Sequence, residues 1–127
     1  VRRAAVLLAM LWPGLALAAE GREVFEARCA GCHAAAPGAP PGPGPNLAGV
    51  VGRRVAGDAA FDYSPALLAA REAGVAWDGA LLQRFLADPE DMFPGLWMGA
   101  NGLRDAADRA AVAAFLAGNG AGAGRND

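Results

Sequence analysis

The 127-residue chain has a single histidine, His33, only two cysteines, Cys29 and Cys32, and no lysine, all eleven of its basic residues being arginine. Each scarcity excludes something. One imidazole and two thiols cannot close a tetrahedral zinc site, which needs four ligands. The arginines form no long run, so the electrostatic footprint of a nucleic-acid binder is missing. No stretch alternates apolar and polar residues with period two, which argues against a sheet. Beyond the N-terminal stretch, no apolar run is long enough to span a bilayer.

What the chain does have begins with a leader. Arg2 and Arg3 make a basic n-region, Ala4 to Leu11 an apolar h-region, and Ala16-Leu17-Ala18 an A-x-A cleavage signal. The expected organisation is a signal peptide at 1–19, cut after Ala18 or Ala19, one domain at 20–118, and a glycine-rich disordered tail at 119–127. Trp12-Pro13-Gly14 interrupts the apolar run, which is short for a membrane span; left uncleaved, it would act as an anchor helix. Losing Arg2 and Arg3 with the leader moves the formal charge from −2 to −4. The exported protein is therefore mildly acidic and expected in the periplasm. Oxidising surroundings usually turn a cysteine pair into a disulfide, but here the spacing points elsewhere.

The periodicity predicts helices. Val24, Phe25, Cys29 and Cys32 recur helically among charged residues, giving a first helix over 21–32 that ends at the cysteines. The proline- and glycine-rich segment 34–45, whose repeated prolines lack amide donors, must be a loop. Ser64-Pro65 caps a second helix running to Ala73 before Gly74, and Asp78 caps a third with Leu81, Leu82, Phe85 and Leu86 on one stripe, stopped by Pro89. Asp105 and Asp108 open a fourth, with Ala111, Val112, Phe115 and Leu116 on a face and its stop at Gly118. The fold class is all-α, with short helices and long loops. Such helices, rich in alanine, bury little apolar area. A broad apolar prosthetic group would complete the core.

Cys29-Ala30-Gly31-Cys32-His33 is C-x-x-C-H, the attachment sequence for c-type haem. Two thiols three positions apart at a helix end can reach the two vinyl groups on one edge of the macrocycle, and the adjoining His33 then supplies the proximal nitrogen. A thioredoxin-like site would require βαβ strands that the sequence lacks. With His33 spent, a second axial ligand has to come from another residue type, and a thioether favours reduced iron. Met92 follows Glu90 and Asp91 in a solvated context. Met98, in Pro94-Gly95-Leu96-Trp97-Met98-Gly99, sits where glycines free a loop to approach the iron. The same shortage leaves no spare histidine to serve as the distal acid–base group of a haem enzyme or gas binder.

Residues 21 to about 118 resemble the class I cytochromes c, the mitochondrial-type cytochrome c and bacterial cytochrome c2 family. The resemblance is carried by the C-x-x-C-H motif, Gly44-Pro45-Asn46-Leu47, Gly52-Arg53, Phe61-Asp62-Tyr63-Ser64, Trp77, Leu86-Ala87-Asp88-Pro89, and Pro94-Gly95 before Met98. It implies the cytochrome c fold, with short helices and loops wrapped around one covalently bound haem, and Met98 as the distal ligand. It also implies that the Pro45 carbonyl accepts the second ring N–H of His33. Arg53, Tyr63 and Trp77 match residues that hydrogen-bond a haem propionate; as plain residues they also fit a surface charge and two packing aromatics. Gly21 and Phe25 match the contact of the first helix with Val112 and Phe115 on the last.

The departures are Phe85 in place of a frequent tyrosine, Leu96 in place of a threonine, and Ala100 in place of a large aromatic. The ring of lysines is gone; Arg28 and Arg104 keep two of its charges, whereas Glu90 and Asp91 reverse two others. The resemblance implies a monomeric single-electron carrier rather than an enzyme. Its partners would be membrane redox complexes, a cytochrome bc1-type donor and an oxidase or reaction-centre acceptor, docked with weak electrostatic steering.

Overall fold

In the computed structural model, residues 13–99 and 102–119 are described; residues 1–12, Ala100, Asn101 and 120–127, which include most of the expected signal peptide and tail, lie outside the described residues. The elements are α1 (Pro13–Arg28), α2 (Pro65–Glu72), α3 (Gly79–Ala87), α4 (Pro89–Met92) and α5 (Ala106–Gly118). Among the described residues there is no strand, only one antiparallel bridge between Arg54 and Ala76. No helix among them is long and apolar enough to cross a membrane.

The first helix differs from expectation at both ends. Within the described residues it already runs from Pro13, and the leucines and alanines after that proline are good helix formers, so it extends well N-terminal of Gly21. Nothing before Gly21 in α1 is buried. At the other end, the N–H groups of Cys29 and Ala30 both converge on the Phe25 carbonyl, at 2.8 and 2.9 Å, which closes the helix at Arg28. Those of Cys32 and His33 then turn back to the Cys29 carbonyl at 3.0 and 2.9 Å. The cysteines therefore sit in a tight turn after the helix, not on it.

α1 crosses α5 through Gly21: a Cβ there would overlap the Ala111 carbonyl and lie 2.9 Å from the Phe115 Cβ. The close approach lets Phe25 and Phe115 meet with ring centroids 5.4 Å apart, and α5 buries Ala111, Val112, Ala113, Phe115 and Leu116. Asp105 caps α5 through the Ala107 N–H at 2.7 Å, and Asp78 caps α3 through that of Leu81 at 2.7 Å.

The sequence pattern missed α4. Pro89, expected to follow a helix end, opens a new turn, because Asp88 accepts from the Asp91 N–H at 3.1 Å while proline suits a first helical position. That turn packs Met92 partly buried against the core, correcting its expected solvated setting. The Glu90 carboxylate accepts from the Gly95 N–H at 2.7 Å, fastening α4 to the loop that carries Met98.

Trp77, Phe85 and Phe93 form an aromatic cluster with centroid separations of 5.1 to 6.2 Å. Around it lie Val50, Val55, Leu82, Leu103, Val112 and Leu116.

Candidate functional site

Both cysteines are free thiols. Cys29 is half-buried against the apolar core and Cys32 is exposed, so the turn presents one thiol inward and one at the surface. Burial pushes the Cys29 thiol pKa up, an effect that the neighbouring Arg28 charge partly opposes.

Directly after this turn, His33 is half-buried, with Nδ1 2.8 Å from the Pro45 carbonyl oxygen. A carbonyl only accepts, so this bond places the ring proton on Nδ1 and leaves the Nε2 lone pair available for a metal. The ring also lies flat against Gly44, where a Cβ would sit 2.7 Å from Nδ1 and 2.9 Å from Nε2. Glycine at 44 is thus a steric requirement of the imidazole. Pro45 is held in turn by Asn46, 9% exposed, whose side-chain amide donates to the carbonyls of Ala36 and Ala39 at 2.8 and 3.0 Å and accepts from the Ala48 N–H at 2.9 Å. The loop that looked structureless in sequence is tied at Ala36 and Ala39 by this one asparagine and elsewhere by backbone bonds such as Gly44 N–H to Cys32 O.

Arg53 and Trp77 are brought together by their backbones: the Trp77 N–H donates to Arg53 at 2.8 Å, and the Gly52 N–H to Trp77 at 2.6 Å. The Arg53 guanidinium donates to the Asn46 carbonyl at 3.0 Å and the Ala48 carbonyl at 3.4 Å, while its Nε is buried without a partner. Tyr63 is buried and its hydroxyl accepts from the Asp58 N–H at 3.1 Å. Burial raises the Tyr63 phenol pKa; the hydrogen bond from Asp58 and the Arg53 charge oppose the rise. Beside it stands a residue that sequence reasoning took only as a cap. Ser64 makes no capping bond, is 1% exposed, and its hydroxyl has no partner. The only sequence hint was its place in the stretch with Tyr63.

Met98 is half-buried and packs against the same core as Cys29. Trp97, its neighbour, stands 66% exposed. Phe85 is buried in the aromatic cluster, and Leu96 lies against the core.

These features suit a covalently attached haem. Two free thiols and an imidazole with Nε2 unclaimed form one edge of the site, and the orphaned Arg53 Nε and Ser64 hydroxyl are the donors an acidic group would satisfy. A small all-α domain with this constellation defines a c-type haem protein.

Comparison with known proteins agrees. The family model for cytochrome c matches residues 18–119. The chain is 38% identical over 121 residues to cytochrome c2 of Rhodomicrobium vannielii, covering 92% of this chain and 94% of that protein. It is 43% identical over 91 residues to cytochrome c2 iso-1 of Magnetospirillum molischianum (70% and 87%), and 38% identical over 98 residues to cytochrome c of Chlamydomonas reinhardtii (77% and 85%). The chain belongs to the cytochrome c family. It has the family's all-α fold and its haem c, covalently attached, with the cysteine pair present for the linkage. Its work is electron transfer, and it is not an enzyme.

Proposed function

We propose that this chain is a soluble, monomeric, periplasmic carrier of single electrons with histidine–methionine axial ligation. Cys29 and Cys32 form the thioether links, and His33 Nε2 and the Met98 sulfur are the axial ligands. Pro45 orients the imidazole, and Arg53, Tyr63 and Trp77, joined by Ser64, receive a propionate. The observation that carries this reading is the bond from His33 Nδ1 to the Pro45 carbonyl, which fixes the tautomer a ligating imidazole needs.

When bound, a haem held by Cys29, Cys32, His33 and Met98 would supply one-electron redox chemistry. The chain's own residues set the conditions. The Pro45 carbonyl holds the ring proton; the aromatic cluster of Trp77, Phe85 and Phe93 keeps water from the interior; and the Arg53 charge compensates a buried acid. No second histidine exists to serve as a distal acid or base.

In this reading, residues 1–19 are the export leader, 20–118 the carrier domain and 119–127 a tail. The partners are a cytochrome bc1-type donor and an oxidase or reaction-centre acceptor, consistent with the cytochromes c2 among its relatives.

A redox titration with optical spectra on exported protein tests the proposal. Low-spin iron with a weak band at the red end is expected, and that band is lost in Met98→Ala. Pale, metal-free protein or high-spin iron in the unsubstituted chain overturns it.

A further inference from the structure

The Pro45–Asn46 peptide has a partner on each side. Its carbonyl faces His33 Nδ1 at 2.8 Å, and its N–H donates to the Asp58 carboxylate at 3.3 Å. A peptide is a conjugated, planar unit whose C=O and N–H point in opposite directions when trans, so the carboxylate and the imidazole lie at opposite ends of one polarisable group. Asp58 is well placed for this. Its other carboxylate oxygen accepts from the Ala60 N–H at 3.0 Å, and its own N–H donates to Tyr63. The approach is tight: Ala56 adopts φ +56°, and a Cβ on Gly57 would fall 2.9 Å from the Arg53 Cγ. Asn46, bonded through both ends of its side-chain amide, keeps the peptide plane from rotating.

We infer that Asp58 is a positioning residue for the proximal imidazole, acting on His33 through the Pro45–Asn46 peptide. The inference rests on the reading of His33 as an iron ligand. A carboxylate accepting from the peptide N–H pushes electron density onto the carbonyl oxygen, which draws the ring proton more strongly and makes Nε2 a better donor. A better donor favours oxidised iron, so Asp58 lowers the midpoint potential. The Arg53 guanidinium, which donates to the following carbonyl, Asn46 O, sets a positive charge nearby and tempers the effect.

The test uses the haem-loaded protein carrying Asp58→Asn, with Asp62→Asn as control. Asp62 is an exposed acid four residues on, so its loss removes the same charge without touching the peptide. In Asp58→Asn the midpoint potential is expected to rise and to stay raised at high salt, and the Nδ1–H proton resonance of His33 in the reduced, diamagnetic protein is expected to move upfield. Asp62→Asn is expected to give a smaller shift that salt erases and no change at the ring proton.

Equal, salt-erased shifts in the two variants, or an unmoved ring proton in Asp58→Asn, overturn the inference while leaving axial ligation intact. High-spin iron in the unsubstituted protein overturns the ligation reading and this one with it. If Asp58→Asn does not mature, Asp58→Glu is read in the same way. It keeps the charge but displaces the oxygen, so the ring proton is expected to shift, and an unmoved one overturns the inference.

Discussion

The backbone carbonyl of Ala111 on α5 occupies the space that a Cβ on Gly21 of α1 would need. Two effects oppose each other in Gly21→Ala. In an exposed helix the change would stabilise by about 1 kcal/mol through backbone entropy. Here the methyl meets backbone rather than a yielding side chain, so the helices must separate and Phe25 loses its fit to Phe115. Overpacking of this kind costs about 1–3 kcal/mol, and a net loss is expected. Denaturant unfolding of the haem-loaded protein measures it; a raised midpoint would refute the crossing geometry.

Gly44 and Gly42 provide a matched pair. A Cβ at 44 would strike the His33 ring, whereas one at 42 would rest 3.7 Å from the Cys32 carbonyl, an ordinary contact. Gly44→Ala is expected to tilt the imidazole off Pro45 and reduce the yield of low-spin, haem-loaded protein severely. Gly42→Ala should retain it. Optical spectra of the two exported variants decide the matter.

Tyr63 is the only tyrosine in the chain, so its ionisation can be followed by phenolate absorbance without interference from another. Burial raises its pKa above the usual value of about 10, so the folded protein keeps the proton to higher pH than the unfolded chain. The stability associated with that difference is complete below about pH 10 and is lost as pH rises through the folded value. Tyr63→Phe should be somewhat less stable at neutral pH, because the Asp58 N–H loses its acceptor, yet lack this part of the alkaline decline. Urea midpoints across the alkaline range provide the comparison.

With no lysine and Glu90 and Asp91 both exposed, electron exchange with a cytochrome bc1-type complex or a terminal oxidase should vary only modestly with ionic strength. A steep fall in rate as salt is added would contradict this. Stopped-flow measurements at several salt concentrations are sufficient.

Features governed by local chemistry were legible in the sequence. Asp78 and Asp105 cap their helices because a carboxylate one position before a helix accepts an N–H that otherwise lacks a partner. The C-x-x-C-H motif identified its own chemistry. Where a residue had two local roles, the sequence could not choose. Ser64 had the position of a cap but turned its hydroxyl inward, and Pro89, which follows the end of α3 as expected, also begins α4. Contacts between distant segments left no periodic trace. The Arg54–Ala76 bridge, the flat seat of the imidazole on Gly44, and the link from Asp58 to the Asn46 N–H all depend on where loops of irregular backbone meet.

The hydrogen bond that commits His33 Nδ1 to Pro45 exists only in the folded chain, and in the denatured one the residue inventory takes over. Under the proposed ligation, unfolding frees the His33 ring from Pro45, and no second imidazole and no lysine amine lies elsewhere in the sequence to compete for the metal. Refolding after a denaturant jump should therefore proceed without a slow phase for exchanging a wrongly bound histidine or lysine nitrogen.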